Sequence, residues 1–237
     1  MNDYTKIKTL NTDIIQDFLN RNDLKFITTK YGKKDIYIIE KYNIQLTFSR
    51  RYERGLFVGY GELWIGFNPH KIFNNNIHNG NDFSILNSIK TLVKVFDFLK
   101  IDNELYNEFT VIGLEFGVNH VLKISCEIIM TNLYSYKSSL FIKHKGEHSK
   151  IAGSDRRLQH KLYAKLTELE DVNIDNPNAL KIINQEVPIN SIRYEISSKK
   201  DFIQSSLKIY ELNDLINPLT FERMTKVLID DLKYILI

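Results

Sequence analysis

The stretch Val111-Ile-Gly-Leu-Glu-Phe-Gly-Val-Asn119 alternates between apolar side chains and polar or small ones. Successive side chains of a β-strand point to opposite faces of the sheet, so this pattern predicts a strand with two unlike faces. The apolar face holds Ile112, Leu114, Phe116 and Val118. The opposite face holds Glu115 and Asn119 together with Gly113 and Gly117. A carboxylate and an amide without bulky neighbours indicate that this face makes room for another group.

Two later segments alternate in the same way, Ser191-Ile-Arg-Tyr-Glu-Ile-Ser197 and His160-Lys-Leu-Tyr-Ala-Lys-Leu166. Their polar sets are Arg193, Glu195 and Ser197 in the first, and Lys161, Tyr163 and Lys165 in the second. If the three strands lie in one sheet, carboxylates, cations, an amide and a phenol converge on one surface. The alternative is that these are solvated faces of ordinary amphipathic strands, which antiparallel sheets usually show.

The first part of the chain contains short segments rich in β-branched and aromatic residues, separated by turns of Gly, Asn and charged residues. This pattern predicts an antiparallel meander. The segments are Lys25–Thr29, Asp35–Glu40, Asn43–Ser49 and Glu62–Phe67. Further strands are predicted at Glu108–Asn119, Val121–Met130, Ser139–Lys143, His160–Leu166 and Ile192–Ser197, the first two joined by a tight hairpin at Asn119-His120.

Apolar residues at helical spacing predict several helices. They lie at Thr12–Asn20, capped by Asn11 or Thr12; from a cap at Asp82 to Leu99; near Asn178–Asn184; and from Pro218 to Ile235. This order predicts an α+β fold: a central antiparallel sheet of about five or more strands, helices mainly on one face, and a helical C-terminal region. No linker marks a boundary, so we expect one domain over residues 1–237. Its parts would be N-terminal strands in 1–60, a core in 60–200 and helices in 200–237.

The composition is that of an ordinary globular protein: 237 residues with a formal net charge of +3 and one Cys. It excludes disordered and collagen-like classes, and the single Cys126 excludes a disulfide framework and a four-Cys zinc site within the chain. The N-terminus lacks the apolar core of a signal peptide, and no apolar run approaches the length that spans a membrane. We therefore expect a cytoplasmic protein without a membrane partner.

The polar faces of the three alternating segments contain the groups needed for metal-assisted nucleophilic chemistry. The carboxylates of Glu115 and Glu195 and the amide of Asn119 are oxygen ligands of the kind that Mg2+ or Mn2+ prefers. Tyr163 is a poor nucleophile at neutral pH unless a base takes its proton or nearby cations stabilise its phenolate. The neighbouring Lys161 and Lys165 would provide such cations, as would the metal.

Basic residues concentrate between Lys143 and Lys165, where seven Lys or Arg occur. Such a run can hold a phosphate backbone by charge, although a solvated loop is the alternative interpretation. The candidate DNA-binding residues are Lys143, Lys145, Lys150, Arg156 and Arg157. His144 and His148, four residues apart, are a weaker alternative for a metal because their segment has no helical pattern.

Taken in chain order, four segments resemble motifs of the replication initiation proteins of filamentous phages, the gene II class, and of related plasmid rolling-circle initiators. The segment Glu62-Leu-Trp-Ile-Gly-Phe-Asn-Pro-His-Lys-Ile72, followed by His78-Asn79-Gly80-Asn81, is similar to a strand and loop of that family. Gly113–Asn119 lies where the family has Arg-Ile-Asp. His160–Glu168 is similar to its Tyr-x-Lys-x-x-Glu strand, and Ser191–Lys199 to its Leu-Arg-Phe-Glu-x-Arg element. The likeness covers residues 60–235.

The resemblance implies a rolling-circle initiator in a bacterial host cell. Such a protein nicks and rejoins single-stranded or supercoiled origin DNA through a 5′-phosphotyrosyl intermediate, and a host helicase is a possible further partner. It makes Tyr163 the nucleophile, Glu115 and Glu195 the metal ligands and Lys165 the cation beside the phenolate. Lys161 and Arg193 complete our set of candidate catalytic residues, with Asn119 as a third metal ligand.

Two other functions stay open. The first is a DNA-binding regulator that kept the fold and lost the site, because Glu115 replaces the family's Asp, Gly113 its Arg and Asn119 a second acid. The second is a structural phage or plasmid protein without a nucleic-acid role. Monomer and homodimer are both compatible with the sequence.

Overall fold

The computed structural model describes residues 2–144, 148–152 and 158–236. The strands of this part of the chain are β1 (Asn2–Thr9), β2 (Lys25–Lys30), β3 (Lys34–Ile39), β4 (Ile44–Glu53), β5 (Leu56–Phe67), β6 (Thr110–Val121), β7 (Ser135–Tyr136), β8 (Ser139–Leu140), β9 (Ile142–Lys143), β10 (Ser149–Ala152), β11 (Leu158–Ala164), β12 (Ser191–Lys199) and β13 (Ile235–Leu236). Ten of them form one sheet in the order β2-β3-β4-β5-β1-β6-β12-β11-β10-β9, and every neighbouring pair is antiparallel. The other three form a small second sheet.

The helices confirm the predicted α+β class. The α-helices are α1 (Thr12–Leu19), α2 (Pro69–Phe73), α3 (Ile85–Leu99), α4 (Cys126–Asn132), α5 (Lys165–Val172), α6 (Pro177–Glu186), α7 (Lys200–Phe202), α8 (Leu212–Ile216) and α9 (Pro218–Leu232). A π-helical turn follows α7 at Ile203–Leu207, and 3-10 turns occupy Glu40–Tyr42 and Asn103–Glu108. No helix in the described part of the chain is long and apolar enough to cross a membrane.

One apolar core joins the large sheet to α1, α3, α8 and α9. Asn11 caps α1, as predicted, by accepting hydrogen bonds from two backbone N–H groups of its first turn. Pro218 occupies the first turn of α9, where its missing N–H costs nothing. A second, smaller apolar cluster joins α5 to α6. The large sheet is therefore apolar on the face that packs against the main helical layer.

The strand at the centre of the sheet, β1, is absent from the sequence-based prediction. It pairs with β5 on one side and β6 on the other, and Ile7 is fully buried within it. Ile7 is its one large aliphatic side chain, so the segment lacks the apolar alternation that marks an amphipathic strand. Pairing on both edges, rather than its own apolar pattern, keeps this segment extended.

The predicted strand Val121–Met130 and the hairpin at residues 119–120 are wrong. β6 continues through both hairpin positions, which pair with β12. Ser125 then starts α4 by accepting a hydrogen bond from the backbone N–H of Glu127, a helix-capping contact. Cys126 is therefore the buried first residue of a helix rather than part of a strand, although it remains a core thiol.

The predicted strand His160–Leu166 ends two residues early. Ala164 is its last residue paired with β12, and Lys165 begins α5. The prediction that Lys165 shares a strand face with Tyr163 is therefore wrong. Within the helix, Lys165 Nζ forms an ion pair at 2.8 Å with Glu168, three residues later.

Three other predicted boundaries need correction. Ser84, not Asp82, caps α3. The predicted strand Ser139–Lys143 divides into β8 and β9, which belong to different sheets. The C-terminal helix ends at Leu232, and Ile235 pairs with β7 as part of a strand.

Candidate active site

The three alternating segments lie side by side, because β12 pairs with β11 on one edge and with β6 on the other. Lys161 is directly opposite Glu195 in this ladder, and Tyr163 is opposite Arg193. Directly paired side chains project from the same face of an antiparallel sheet. The sequence-based expectation that the three polar rows converge on one surface is thus confirmed.

The hydroxyl group of Tyr163 donates a hydrogen bond to Oε2 of Glu195. Both side chains are buried, with Tyr163 only 8% exposed. Burial and the negative charge of Glu195 raise the pKa of Tyr163 well above its ordinary value, so the phenol is protonated in this state. The hydrogen bond gives Tyr163 a defined acceptor for its proton and fixes the position of its oxygen.

Lys161 links Glu195 to the second predicted carboxylate. Its Nζ lies 2.7 Å from Oε1 of Glu115 and 3.9 Å from Oε1 of Glu195. Burial acts to raise the pKa of Glu195, but the charges of Lys161 and Arg193 outweigh it and lower that pKa to about 2. Burial and the charge of Glu195 raise the pKa of Glu115. Glu195 is therefore the more acidic of the two carboxyl groups, and Glu115 is less acidic than an ordinary glutamate.

Arg193 lies beneath this pair and is 1% exposed. Its Nη2 forms an ion pair with Asp3 of β1, and its Nη1 donates a hydrogen bond to Oδ1 of Asn119 at 2.6 Å. Its Nε is 3.9 Å from Oε2 of Glu195. Burial lowers the pKa of Arg193 to about 10, which leaves the guanidinium charged at neutral pH. Arg193 thus acts as the internal counter-charge of the site.

The side chain of Asn119 forms its hydrogen bonds with groups other than Glu115 and Glu195. Its Oδ1 accepts the bond from Arg193, and its Nδ2 donates to the backbone carbonyls of Gly80 and Asn81, each at 2.9 Å. The structure therefore brings Glu115 and Glu195 together as candidate metal ligands but directs the amide oxygen of Asn119 towards Arg193.

Lys165 reaches Tyr163 from the start of α5 rather than from β11. Its Nζ is 5.0 Å from the centroid of the Tyr163 ring, within range of a cation–π contact. Its side chain is 1% exposed and is paired with Glu168. The predicted proximity of this cation to the phenol is therefore present, by a different route through the fold.

Sequence reasoning missed Asp3 and His70, which complete the polar network. Oδ1 of Asp3 lies 3.1 Å from Nδ1 of His70 and accepts a bond from Asn79 at 3.3 Å, and Nε2 of His70 lies 3.0 Å from Oδ1 of Asn81. A register shift between residues 2 and 4 marks a bulge at Asp3, and bulges commonly redirect side chains near functional sites. Asn79 and Asn81 belong to the loop that is similar to the initiator family, and this similarity was the only sequence signal for this part of the network.

The glycines on the polar face of β6 make room for neighbouring side chains, as the sequence indicated. A Cβ atom at Gly117 would lie 2.5 Å from the backbone oxygen of Tyr194 and 3.2 Å from Nη2 of Arg193. A Cβ atom at Gly113 would lie 3.1 Å from Cβ of Lys6. Gly117 therefore permits the close approach of β12 that seats Arg193.

A cavity of about 190 Å3 opens onto this surface and is lined by Tyr163, Glu195, Glu115, Lys161, Lys165 and Asp3, among others. Sites for drug-sized ligands are larger, about 300–1,000 Å3, so this cavity suits a group of the size of a phosphate. It shares His148 with a neighbouring cavity of about 690 Å3, which Lys143 and Lys150 line. The predicted DNA-binding residues Lys145, Arg156 and Arg157 lie outside the described residues.

Glu115 and Glu195 are the residues best placed to hold a cation. No group of three or more His, Cys, Asp or Glu side chains within residues 2–144, 148–152 and 158–236 has metal-binding geometry. Mg2+, however, commonly uses one or two carboxylates and completes its shell with waters and substrate phosphates. The raised pKa of Glu115 reflects, after burial, repulsion from Glu195, which a divalent cation would relieve. The two carboxylates are thus chemically suited to Mg2+ or Mn2+, which would have to displace the ammonium group of Lys161 from between them.

No protein-family model matches this chain, and a search of curated proteins finds no match. The resemblance to rolling-circle initiators therefore remains a prediction, which rests on the four motifs and on the geometry described above.

Replacement of Gly117 by Ala tests the packing that seats Arg193. The added Cβ atom would overlap the Tyr194 carbonyl oxygen of β12, so we expect a loss of about 1–3 kcal/mol in the free energy of unfolding, measured by urea denaturation. Gly61→Ala is the matched control, because its Cβ would have no neighbour nearer than 3.9 Å. Equal stability of the two variants would contradict this interpretation.

Proposed function

We propose that the protein is a rolling-circle replication initiator that nicks and rejoins single-stranded DNA through a tyrosine-linked intermediate. The observation that carries the proposal is the hydrogen bond from Tyr163 to Glu195, at a cavity also lined by Glu115, Lys161 and Lys165. A nucleophile, a proton acceptor and two cations thus meet where a phosphate group would fit. These are the elements that phosphoryl transfer requires.

The proposed step exchanges one phosphodiester for another. Oη of Tyr163 forms a bond to the scissile phosphorus while the bond from phosphorus to the 3′-oxygen breaks. The phenolic proton passes to Glu195, and the departing 3′-oxygen takes a proton from water to become a free 3′-hydroxyl. The phosphate remains on the downstream strand as a 5′-phosphotyrosyl ester. Attack by a 3′-hydroxyl reverses the step and reseals the strand.

The resting site holds its proton on Tyr163, because the pKa of Tyr163 is raised and that of Glu195 is about 2. Proton transfer therefore requires additional positive charge near the phenolate oxygen. Lys161 and Lys165 are already present while the pKa of Tyr163 is raised, so this charge must come from a bound group. A divalent cation held by Glu115 and Glu195 would supply charge that stabilises both the phenolate and the phosphate in the transition state.

A covalent-capture experiment tests the nucleophile. The protein is incubated with Mn2+ and a pool of random-sequence single-stranded oligonucleotides labelled at the 3′ end. Because the phosphate would join the 5′ end of the downstream, 3′-labelled fragment to Tyr163, we expect label attached to protein on a denaturing gel. Tyr163→Phe should remove the signal entirely, since it deletes the attacking oxygen.

Tyr134→Phe is the matched control, because Tyr134 is 66% exposed and lies outside the site cavity. It should form adduct at the rate of the unmodified protein. Absence of adduct from the unmodified protein, or its persistence in Tyr163→Phe, would refute the proposed function.

A second candidate function is a DNA-binding regulator without catalytic activity. The observation that favours it is Lys161, whose ammonium group already bridges Glu115 and Glu195 and balances their charge without a metal. Such a protein would bind DNA in a salt-dependent manner and leave it intact.

Metal removal separates the two candidates. With a catalytic site, EDTA should abolish adduct formation, and Glu195→Gln should slow it at least about 100-fold by removing the proton acceptor and a metal ligand. Glu40→Gln is the control, because Glu40 pairs with Lys25 in an exposed position. The regulator predicts DNA binding that neither EDTA nor Glu195→Gln alters, with no adduct in any sample.

A further inference from the structure

The sheet face that carries the candidate site continues beyond it, from β6 across β1, β5 and β4 to β3. The register places Tyr4 opposite Glu115 and Lys6 between Gly113 and Gly66. Trp64 follows on β5, paired with Lys8. Tyr4, Lys6, Lys34 and Trp64 on this face are half-exposed. On the opposite face Leu63 and Ile65, the neighbours of Trp64, are fully buried. We call the group Tyr4, Lys6, Trp64 and Lys34 the Trp64 face.

Two lysines from different strands meet at the indole of Trp64. Nζ of Lys6 lies 4.3 Å from the ring centroid, and Nζ of Lys34 lies 3.9 Å from it. Within the described ranges, neither ammonium group has a carboxylate oxygen within 4.0 Å. By contrast, the nearby Lys8 is paired with Glu62 at 2.7 Å. The carboxylate of Glu62 accepts a hydrogen bond from the indole N–H of Trp64 at 3.2 Å and lies close enough to Lys34 to interact with its charge, but it forms its ion pair with Lys8. Two cations held at one aromatic ring, both beyond ion-pair distance of any carboxylate in the described part of the chain, form a site for an anion.

The electrostatic state of Lys6 agrees with this geometry. Burial lowers its pKa, and the charge of Lys34 lowers it further. A bound phosphate would offset both effects, because it would add a negative charge near two ammonium groups that repel each other. The indole adds an apolar ring, against which a base would stack when the two ammonium groups move from the ring to a phosphate.

Glycines allow Tyr4 and Lys6 to lie close to the sheet between Trp64 and the candidate site. A Cβ atom at Gly66 would lie 2.4 Å from the hydroxyl oxygen of Tyr4, and one at Gly113 would lie 3.1 Å from Cβ of Lys6. Larger residues at these two positions would displace both side chains. The absence of side chains at Gly66 and Gly113 thus leaves room for Tyr4 and Lys6 between Trp64 and Glu115.

The charge of this part of the chain supports an anionic partner. Residues 25–60, which contain β2, β3, β4 and the start of β5, hold eight Lys or Arg and three Asp or Glu, a net charge of +5. The whole chain has a net charge of only +3. Positive charge is thus concentrated at this end of the sheet.

We propose that the Trp64 face binds the single-stranded DNA that leads to Tyr163, with a phosphate between Lys6 and Lys34 and a base against Trp64. The proposal rests on the proposed function for the identity of its ligand. Strands spaced about 4.8 Å apart place β3 about 19 Å from β6. With the bases stacked as in one strand of a duplex, the rise is about 3.4 Å per nucleotide, so at most about six nucleotides span this distance.

The protein provides its own probe, because Trp64 is its single tryptophan. An oligothymidylate of about twelve nucleotides covers the strip with some excess, within the range of known single-strand sites. Titration with this oligonucleotide, in EDTA to prevent cleavage, should change the Trp64 fluorescence in a saturable, salt-dependent manner. An unchanged emission at oligonucleotide concentrations that saturate binding, measured by anisotropy of a labelled strand, would overturn the proposal.

Lys6→Gln/Lys34→Gln tests the two cations. Lys6 and Lys34 would hold one phosphate, and each lost phosphate contact reduces the slope of log K against log salt by about 0.7, so the double variant should lose about 0.7. Lys6→Arg/Lys34→Arg should retain most of the slope, which separates charge from folding defects. Lys90→Gln/Lys100→Gln, with the same charge change on and just after α3, should leave the slope unchanged. Equal slopes for the Lys6/Lys34 and Lys90/Lys100 variants would refute the proposed contacts.

Failure of this proposal is distinguishable from failure of the proposed function. Adduct formation at Tyr163 with no effect of oligonucleotide on Trp64 would leave the nicking activity and remove the Trp64 face as its binding surface. Oligonucleotide binding at Trp64 without adduct would retain the Trp64 face as a DNA-binding surface and remove the nicking activity. A fluorescence change with phosphatidylserine vesicles but not with oligothymidylate would assign the surface to a membrane and overturn the proposal.

Discussion

The buried guanidinium of Arg193 is the interaction on which the geometry of the site depends. It joins three strands that are far apart in sequence, through Asp3 of β1, Asn119 of β6 and its own position on β12. Removing one partner from a buried ion pair costs about 3–5 kcal/mol, because the remaining charge cannot be solvated. The position of Arg193 also requires Gly117, since a side chain there would press against it. The polar face is therefore held together from within the sheet.

This arrangement also determines the protonation of the groups above Arg193. Lys161 and Arg193 keep Glu195 ionised, and burial together with the charge of Glu195 raises the pKa values of Glu115 and Tyr163. Each of these shifts has the sign expected for charges coupled across a few ångströms in a poorly solvated site. The site thus holds a neutral phenol beside an ionised acceptor, and positive charge added closer to the phenol oxygen than to the carboxylate of Glu195 would favour transfer of the proton between them.

Periodicity was sufficient to predict the faces of β6, β11 and β12, because two-residue alternation requires no knowledge of distant partners. It correctly placed Glu115, Glu195, Tyr163 and Lys161 on one surface. Lys165 was assigned to the wrong element because an apolar residue on each side of it continues the alternation, while its pairing with Glu168 starts a helix. The predicted hairpin at residues 119–120 and the strand Val121–Met130 failed for a similar reason. The apolar residues of this segment fit a strand pattern, but Ser125 caps a helix there.

Asp3 could not be predicted, because its role depends on a partner 190 positions along the chain and on a bulge in β1. His70 belongs to the segment Glu62–Ile72 that resembles the initiator family, but nothing in its sequence position indicates its contact with Asp3. Asn119 was assigned to a metal from its residue type, whereas its neighbour Arg193 occupies its oxygen. Local sequence patterns do not predict tertiary contacts of this kind, even for a residue that is correctly identified as a candidate.

The central claim is that Tyr163 is the nucleophile of a phosphoryl-transfer site. Its most direct test is mass spectrometry of the protein after incubation with Mn2+ and single-stranded DNA, followed by digestion with nuclease and protease. The account predicts a nucleotide phosphate attached to Tyr163 and to no other side chain. A nucleotide on a different residue, or an unmodified Tyr163 peptide in a sample that contains cleaved DNA, would contradict it.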